Sequence, residues 1–532
     1  MNKPPEYPGR KSERDRAAIA AQSLTIITEL ANELRPRQVG DLSAAPDSDL
    51  DRDLGFDSLG RAELILRLDR TFKVRLPDQL IADAKTPADL IDAILTAKPQ
   101  SRDITATVEA PVDVLASIAP PATAKSLLQV LEHHVEAHPD RPHIGIWQSY
   151  GITERMSYGQ LDSQALSIAR GLQEAGLEVG DRVALMLPTG RAFFCTFFGI
   201  LFAGGIPVPI YPPFRRAQVE DHIRRQAGIL NNAEVGILVT EAEIRRVGGL
   251  LKGLVPSLHH VMIAESLMGG PQLAEPTSAN SDTTALIQYT SGSTGDPKGV
   301  VLTHANLLAN IRAMGVALEA TSKDVFVSWL PLYHDMGLIG AWLGSLYFGA
   351  RVVIMSPLTF LADPTRWLHA ISQQRGTLSA APNFAFELCL KNIRQEDAAG
   401  LDLSSLRAVV NGAEPVSPST IRDFTERFSA FGFRPEALEP VYGLAESSVG
   451  LAFPPMGRTP IVDRVDRFAL TDAGIVRVAA PDDRSAIEFV ACGRPLVNHQ
   501  VRIVDDLGLE LPERHQGNLQ FKGPSVTQGY YR

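Results

Sequence analysis

Short runs rich in valine and isoleucine alternate with helical segments from about residue 124 onward, and this alternation most limits the possible folds. The runs read RVALMLP, GIPVPIY, EVGILVT, TALIQYT, RVVIMSP and LRAVVNG. Apolar runs separated by helices are typical of parallel sheets that are covered on both faces. The pattern therefore predicts a large α/β domain. After about Gly457 it becomes more strand-like and richer in turns, as in QVRIVDDLG and GNLQFKG, which predicts a β-rich part.

The N-terminal part predicts a separate, small bundle of four helices. Apolar residues recur at helical spacing from Ser12 to Leu34, and a second helix begins at Ser58. Pro77 opens a short helical turn, and Thr86 with Pro87 forms an N-cap and first-turn pair for a last helix through Leu95. A proline-containing stretch without periodicity follows and predicts a linker. We therefore expect a multidomain chain with a bundle at 1–98, a linker at 99–123 and a large domain at 124–532.

Composition excludes several classes of protein. The 532 residues, 45% hydrophobic and 21% charged, are typical of a globular chain with large cores. The formal net charge of −10 disfavours a nucleic-acid partner. Three widely spaced cysteines exclude a disulfide scaffold or a cysteine zinc site and suit a reducing compartment. The charged N-terminal residues MNKPPEYPGRKSERDR precede no apolar stretch, so we expect no signal peptide and a cytoplasmic location.

One uncharged stretch, Ala192 to Tyr211, approaches the length of a membrane span. Gly204, Gly205, Pro207 and Pro209 would break a spanning helix in its second half. The stretch therefore predicts a buried helix to about Ala203, a glycine turn and a buried strand, and no membrane span.

The strongest local motif is YTSGSTGDPKG, Tyr289 to Gly299, directly after a strand-like run. Its backbone N–H groups, hydroxyls and single lysine suit a polyphosphate, although the order differs from the common NTPase loop. A flexible glycine–serine hairpin is the alternative interpretation. The motif resembles the phosphate loop of the adenylate-forming superfamily. That resemblance implies ATP as a ligand and assigns nucleotide binding to Thr290, Ser291, Gly292, Ser293, Thr294, Gly295 and Lys298.

Two later segments resemble that superfamily in the same order. NGAEPV resembles the segment that lines adenine, which implies nucleotide contacts at Gly412, Ala413 and Glu414. VYGLAES resembles the segment in which an aromatic residue stacks on adenine and a glutamate holds Mg²⁺. The resemblance thus assigns adenine to Tyr442 and Gly443, and the metal to Glu446 with Thr290. A carboxylate suits Mg²⁺, although Glu446 by itself would more often be a surface or helix-cap acid. Many relatives have threonine where this chain has Ala445, which implies one phosphate contact fewer.

Further motifs resemble the fatty acyl-AMP ligase branch of the superfamily. LPLYHDMGLIG and PVPIYPPFRR are similar to that branch, and the resemblance places His334 at the border of the adenylate and acyl pockets. About thirty residues after Pro454, before Gly493 to Pro495, resemble an insertion associated with forming acyl-adenylate without free CoA as acceptor. A surface insertion without that role is the alternative. The implied fold is two α/β subdomains plus a β-rich subdomain, and the implied catalytic residues are Lys298, Glu446 and His334.

The N-terminal bundle carries LGFDSLGRAELI, Leu54 to Ile65. A serine at a helix start is also an ordinary N-cap. The motif in a four-helix unit resembles acyl and peptidyl carrier proteins, which implies 4'-phosphopantetheine on Ser58 and a phosphopantetheinyl transferase as partner. Arg61 and Arg67 make this helix less acidic than many carriers.

The chain ends at GPSVTQGYYR, where relatives continue to a ribose-binding aspartate and a small mobile domain with a lysine. The resemblance therefore implies a large domain without its mobile partner and slow adenylation. The implied function is ATP-dependent formation of acyl-AMP and loading of a carrier domain, for lipid or polyketide-type biosynthesis. The expected partners are a fatty acid and a downstream acyltransferase or polyketide/peptide synthase. An acyl-CoA synthetase with an appended carrier and a catalytically impaired carrier or docking protein are the alternatives.

Overall fold

The structure is a computed structural model that describes residues 13–34, 42–56, 58–97, 116–148, 150–213, 219–290 and 297–532. The chain forms two compact units, one that contains the N-terminal helices and one that contains the sheets. The predicted linker lies largely outside the described residues, so the boundaries 1–98, 99–123 and 124–532 stay predictions.

Within the described part of residues 13–97 the chain forms four helices, as predicted, namely α1 (Glu13–Leu34), α2 (Ser58–Phe72), α3 (Leu80–Asp83) and α4 (Pro87–Thr96). Their apolar residues meet in one core with residues of the loop that precedes α2, and its members include Ile27, Leu30, Leu54, Phe56, Ile65, Leu68, Leu90 and Ile94. Helical spacing produces this core because residues three and four apart share a face of a helix.

Local sequence sets the ends of these helices. The Thr86 side chain accepts from the Asp89 backbone N–H and the Asp89 side chain accepts from Thr86 N, which forms a capping box ahead of Pro87. Pro77 opens a turn in which its own carbonyl oxygen accepts from the backbone N–H of Leu80, and the third helix begins at Leu80. The predicted N-cap at Thr86 is thus confirmed.

The remaining helices are distributed along the rest of the chain. In chain order they are α5 (Leu127–Ala137), α6 (Tyr158–Glu174), α7 (Arg191–Phe202), α8 (Val219–Asn232), α9 (Arg245–Leu254), α10 (Ala264–Met268), α11 (His304–Ala317), α12 (Gly344–Phe348), α13 (Pro357–Ala362), α14 (Thr365–Gln374), α15 (Asn383–Asn392), α16 (Pro418–Ser429) and α17 (Arg467–Ala473). A π-helix, Met336–Leu343, directly precedes α12.

The strands all belong to the second unit. They are β1 (Pro142–Gln148), β2 (Gly151–Ser157), β3 (Arg182–Met186), β4 (Ile206–Pro209), β5 (Ile237–Thr240), β6 (His260–Ile263), β7 (Thr284–Thr290), β8 (Lys298–Thr303), β9 (Val325–Ser328), β10 (Arg351–Ile354), β11 (Leu378–Ala381), β12 (Ala408–Asn411), β13 (Leu438–Pro440), β14 (Tyr442–Gly443), β15 (Gly450–Phe453), β16 (Val462–Val465), β17 (Ile487–Val490), β18 (Arg494–Pro495), β19 (Gln500–Val504) and β20 (Asn518–Lys522).

Two sheets form the α/β part of this unit. A seven-stranded sheet has the order β13-β12-β11-β9-β10-β1-β2, and a four-stranded sheet has the order β4-β3-β5-β6. Every pairing within them is parallel except that of β1 with β2. The continuous apolar runs form buried strands because helical crossovers connect parallel strands and cover the sheet. The predicted α/β architecture is confirmed.

For one of the apolar runs, the prediction that it belongs to a parallel sheet is wrong. The run TALIQYT forms β7, which pairs antiparallel with β8 in a two-stranded sheet. The segment between the two strands covers only residues 291–297, whereas a parallel crossover needs about a dozen residues or more. The short connection therefore requires a hairpin.

The uncharged stretch that begins at Ala192 forms a core helix, as predicted. Helix α7 buries four phenylalanines against Trp342, with ring centroids 4.7–6.5 Å from the indole, namely Phe193, Phe194, Phe197 and Phe198. Edge-to-face packing of this kind adds to the free energy of apolar burial. The turn at Gly204 and strand β4 follow. Among the helices that the structure describes, none combines the length and apolar composition that crossing a membrane requires.

The C-terminal part is rich in strands, as predicted. Its small sheets are β14-β15-β18, β16-β17 and β19-β20, and all their pairings are antiparallel. The predicted insertion supplies β16, α17 and β17. The segment Gly493 to Pro495 forms part of a sheet as well as a turn, because Arg494–Pro495 pairs with β15.

Candidate active site

Three segments predicted to carry functional residues leave the carboxyl ends of parallel strands of the seven-stranded sheet. They follow β9, β12 and β13. Because the ends of parallel strands meet at one edge of a sheet, residues far apart in sequence become neighbours. His334, Gly412, Ala413, Tyr442 and Gly443 line one cavity, so the structure brings these predicted site residues together.

This cavity has a volume of about 240 Å³ and changes character along its wall. The polar part is formed by the backbone of the predicted adenine residues together with His334 and Asp335, and Asp324 and Ser345 also line the cavity. The remainder is mainly apolar and is lined by the sheet, α11, the π-helix and α12, with side chains that include Ile311, Met314, Leu318, Phe326, Met336, Phe348, Leu378 and Val410. One continuous space can therefore accept a polar head and an apolar chain.

The segment after β12 enters the cavity wall through strained backbone. Ala413 has a φ of +69°, in the left-handed region that residues with a Cβ rarely adopt. Such conformations persist where the surrounding structure holds them, and they cluster at ligand sites. Glu414 is different, because its Oε1 accepts from the Phe384 backbone N–H at 2.6 Å and the residue is not among those that line the cavity.

The segment after β13 presents Tyr442, whose residue surface is 41% exposed, at the edge of the cavity. The adjacent Gly443 has no room for a side chain, because a Cβ there would lie 1.8 Å from the Val449 carbonyl oxygen. The close approach of β14 to β15 therefore requires glycine at this position and fixes the place of Tyr442 beside it.

His334 forms an ion pair with Asp335, with 2.7 Å between Nδ1 and Oδ1. Burial lowers the pKa of His334, but the charge of Asp335 and its hydrogen bond outweigh burial, so the net effect raises that pKa. A protonated imidazole is thereby favoured at the cavity wall.

The predicted phosphate loop connects the two strands of a hairpin. Thr290 and Lys298 are paired across β7 and β8, and Lys298 is exposed. Ser291, Gly292, Ser293, Thr294 and Gly295 lie outside the described residues. The described geometry therefore fixes the two ends of the loop, where the predicted lysine and metal-binding threonine lie opposite each other.

Glu446 lies close to this hairpin through a third residue, Tyr530. The Tyr530 hydroxyl donates to Glu446 Oε1 at 2.7 Å. The Lys298 ammonium nitrogen lies 5.1 Å from the centroid of the same tyrosine ring, a cation–π distance. The predicted lysine and the predicted metal carboxylate thus share one neighbour.

A buried polar network supports the turn that carries Glu446. Asn310 Nδ2 donates to the Gly450 carbonyl oxygen and to Ser525 Oγ, while Gly450 N donates to Asn310 Oδ1. The Ser448 hydroxyl donates to the Ser525 carbonyl oxygen, and Ser448 itself has a φ of +66°. All of these polar groups are paired in the interior, so the network holds the turn rigidly.

The residues present fit Mg²⁺ on a nucleotide. Among the described residues, no group of three or more histidine, cysteine, aspartate or glutamate side chains is arranged to hold a metal. Mg²⁺ is usually bound by one or two carboxylates together with substrate phosphates and water. A single half-buried carboxylate at Glu446, close to Lys298, matches that arrangement.

In the N-terminal unit, Ser58 is the first residue of α2, as predicted, and its side chain lies outside the described part of the chain. Arg61 and Arg67, which make this helix less acidic than many carriers, both form ion pairs within the unit. Arg61 is 3% exposed and donates to Asp51 and to two backbone carbonyls. Arg67 pairs with Glu33 and Glu63. Both guanidinium groups are therefore used inside the unit.

Tyr530, Asn310 and Ser525 belong to none of the motifs that the sequence presents. The only available signal for Tyr530 was the aromatic pair in GYYR, because its partner Glu446 is 84 positions earlier in the chain. Asn310 lies inside a helix and Ser525 in a loop, and neither belongs to a recognisable motif.

Two family descriptions match this chain. The AMP-binding enzyme family matches residues 131–531, and the phosphopantetheine attachment site family matches residues 26–94. The chain is 34% identical to the long-chain-fatty-acid–AMP ligase FadD26 of Mycobacterium marinum over 427 residues, which cover 77% of this chain and 72% of the relative. It is 33% identical to the medium-chain-fatty-acid–[acyl-carrier-protein] ligase JamA of Moorena producens, with 77% and 70% covered.

Solved structures are similar over the same region. The fatty acyl-adenylate ligase from L. pneumophila in complex with acyl adenylate and pyrophosphate has a TM-score of 0.71 and 34% identity, with 77% of this chain and 70% of that chain covered. A second match, to fatty acyl-adenylate ligases from E. coli and L. pneumophila, has a TM-score of 0.73 and 31% identity, with 76% and 73% covered. Together with the site geometry, these matches mean that the chain belongs to the AMP-binding enzyme family, among the fatty acyl-AMP ligases, and carries a phosphopantetheine attachment domain ahead of the adenylate-forming domain.

Proposed function

We propose that this protein uses Mg-ATP to convert a fatty acid into acyl-AMP with release of pyrophosphate, and then loads the acyl group onto a 4'-phosphopantetheine arm, in the first instance on its own Ser58. One observation carries the proposal. The cavity that contains Gly412, Ala413, Tyr442 and Gly443 continues without a break into the mainly apolar space beside α11 and α12. An adenylate with a hydrocarbon chain has this combination of polar and apolar parts.

Activation joins the fatty-acid carboxylate to the α-phosphate of ATP, and an oxygen–phosphorus bond to pyrophosphate breaks. Lys298 and the backbone of residues 290–295 would bind the phosphates, and Glu446 with Thr290 would hold Mg²⁺. Mg²⁺ supplies charge neutralisation on the phosphates when bound. Catalysis of this kind depends mainly on positioning and electrostatic stabilisation.

His334 would attract the negative groups that meet at the border between the polar and apolar parts of the cavity. Its ion pair with Asp335 favours the protonated ring, which supports this role. Gly412, Ala413, Tyr442 and Gly443 would surround the adenine. Glu414 would act through the backbone of Phe384, since it binds that N–H and does not line the cavity.

The second step needs a carrier. The phosphopantetheine attachment family covers residues 26–94, which include Ser58 at the start of α2. A phosphopantetheinyl transferase would add the arm, and a downstream acyltransferase or polyketide/peptide synthase would receive the acyl group. Donor and acceptor in one chain raise the effective concentration, to about the millimolar range for short flexible linkers. A cytoplasmic location is part of the proposal and rests on the cysteine usage of the sequence.

The test separates the two chemical steps. The intact chain, first treated with a phosphopantetheinyl transferase and CoA, is freed of CoA and incubated with fatty acids of graded length and Mg-ATP. Fatty-acid-dependent exchange of pyrophosphate into ATP reports adenylation, and intact mass reports acyl loading. We expect both signals. Lys298→Ala and Glu446→Ala should reduce exchange about 10²–10³-fold, as loss of a charge-stabilising group typically does.

Matched variants and a second acceptor make the result decisive. Ser58→Ala should abolish the added mass and leave pyrophosphate exchange unchanged. Efficient acyl-CoA formation when free CoA is supplied would instead identify an acyl-CoA synthetase. Absence of exchange with every acid, while the arm is still added to Ser58, would identify a carrier or docking protein and contradict the proposed activity.

A further inference from the structure

Tyr530 contacts both charged residues that the proposed function assigns to the Mg-ATP site. We propose that Tyr530 is a positioning residue, which orients Glu446 so that its carboxylate is preorganised to bind Mg²⁺. The inference rests on the proposed function, because it takes Glu446 as the metal-binding carboxylate.

Backbone pairing fixes the place of Tyr530. The residue forms an antiparallel bridge with Val300 of β8. On either side, Val301 N donates to the Gly529 carbonyl oxygen at 3.2 Å and Tyr531 N donates to the Gly299 carbonyl oxygen at 2.7 Å. The segment therefore runs along β8, and the ring of Tyr530 reaches the Lys298 ammonium group at the start of that strand.

The same segment also holds the backbone of Glu446. Thr527 N donates to the Glu446 carbonyl oxygen at 2.8 Å, three residues before Tyr530. The glutamate is thus bound twice by one short segment, at its main chain by Thr527 and at its carboxylate by Tyr530. Its turn is held from behind by the buried network around Asn310 and Ser525.

The hydrogen bond uses only one carboxylate oxygen. Glu446 Oε1 accepts from Tyr530, and no partner of Oε2 is present among the described residues. A free glutamate side chain loses much rotational freedom when it binds a metal, and a hydrogen bond that already fixes the rotamer reduces that loss. Groups that orient a metal ligand in this way typically change metal affinity 10- to 100-fold when they are removed.

If Tyr530 competed with Mg²⁺ for the carboxylate, removing its hydroxyl would change the Mg²⁺ affinity in the opposite direction. A phenol that occupied the carboxylate in competition with the cation would weaken Mg²⁺ binding, and its removal would then strengthen it. The direction of the change therefore tests whether Tyr530 supports or blocks the metal.

The variant Tyr530→Phe removes the hydroxyl and keeps the ring beside Lys298. Tyr531→Phe is the matched control, since it removes a hydroxyl from the next residue, which makes no side-chain hydrogen bond with the described residues. The intact chain and both variants are first compared by thermal unfolding without ligand. The rise in melting temperature with a fixed ATP concentration is then measured as Mg²⁺ is titrated.

We expect the Mg²⁺ concentration that gives half of the maximal rise in melting temperature to increase about tenfold for Tyr530→Phe and to stay unchanged for Tyr531→Phe. Without ligand, the melting temperatures of both variants should equal that of the wild-type chain. Saturating Mg²⁺ should restore the full rise. In a Glu446→Gln background, Tyr530→Phe should add no further change, because the two residues act as one unit. A purely structural role would persist in that background.

The outcomes separate this inference from the proposed function. A wild-type chain that binds ATP without any Mg²⁺ dependence would contradict both. A wild-type chain with Mg²⁺-dependent binding, together with a Tyr530→Phe variant that is unchanged or binds Mg²⁺ more tightly, would overturn the role of Tyr530 and leave the proposed function intact.

Discussion

At the scale of single residues, Arg61 shows how a charge can belong to a core. Its guanidinium Nε donates to Asp51 Oδ1 at 2.8 Å, and Nη1 donates to the carbonyl oxygens of Ile81 and Ala84. These partners come from the loop before α2 and from the region of α3. One planar group with several donors therefore ties three segments of the helical unit together.

We expect Arg61→Ala to destabilise the helical unit by about 3 kcal/mol, because it leaves Asp51 without its arginine and two carbonyl groups without a donor in the interior. Arg67→Ala is the control. Arg67 is partly exposed, so its two ion pairs should contribute less than about 1 kcal/mol.

Hydrogen exchange of α2 and α4 in the intact chain measures both effects at the affected unit. Comparable protection of Arg61→Ala and the wild-type protein would show that the buried ion pair contributes little to stability.

At the scale of elements, the π-helix Met336–Leu343 decides part of the cavity wall. Two of its glycines have opposite surroundings. A Cβ at Gly337 would lie 2.3 Å from the Pro331 carbonyl oxygen, whereas a Cβ at Gly340 would meet nothing within 4 Å. Gly340 also lines the cavity. The first glycine is therefore required by the backbone around it, and the second leaves room in the cavity.

Gly340→Leu should shorten the preferred fatty acid without unfolding the protein, because the new side chain occupies space that part of the acyl chain would use. Each methylene group excluded from an apolar site costs about 0.8 kcal/mol, or about fourfold in affinity. Pyrophosphate exchange across a series of acid lengths measures the shift.

Gly337→Ala provides the structural contrast. Its clash with backbone should lower the melting temperature markedly, whereas Gly340→Leu should leave it nearly unchanged. An unaltered length profile in Gly340→Leu would place the acyl chain elsewhere.

At the scale of the whole molecule, we expect stability in acid to depend on a buried stack of three rings. The ring of Tyr158 is stacked between those of His134 and His143, and its centroid lies 4.7 Å from the first and 4.8 Å from the second. All three side chains are fully buried. Burial lowers the pKa of His134 to about 4 and that of His143 to about 3. Both rings are therefore neutral in the folded protein and gain protons on unfolding below about pH 6.5.

The sign of the pH dependence follows from these lowered pKa values. Stability from the two neutral histidines is fully present above about pH 6.5 and is lost as the pH falls toward 4, because the unfolded chain then binds more protons. Each histidine should contribute a slope of up to about 1.4 kcal/mol per pH unit in that range. Denaturant unfolding between pH 4 and 7 measures the slope.

His143→Phe should keep the ring stack and remove one titrating group, so the slope should fall by up to about 1.4 kcal/mol per pH unit. His259→Gln, at an exposed position, is the control. An unchanged slope in His143→Phe would exclude this histidine as a source of acid sensitivity.

The sequence by itself determined the elements and the order of the motifs. Helical spacing predicted the four-helix bundle, the Thr86 cap predicted the start of α4, and the apolar runs predicted parallel sheets. Breakers after Ala203 correctly predicted where the core helix α7 ends and strand β4 follows. The motifs indicated the enzyme family because each is a continuous stretch of sequence and can be recognised without knowledge of the fold. The individual roles of Lys298, Glu446, His334 and Ser58 stay predictions.

Only the tertiary structure decided which residues face each other. Helical and strand periodicity reports which face of an element is apolar, but it does not report which distant segment packs against that face. For this reason the periodicity of α2 did not show that Arg61 is buried against Asp51. In the same way, the run TALIQYT did not show that β7 pairs with β8 in a hairpin. Tyr530 and Glu446 are 84 positions apart, and their hydrogen bond exists because the C-terminal segment runs along β8. Contacts of this kind depend on packing between elements, which local sequence patterns do not encode.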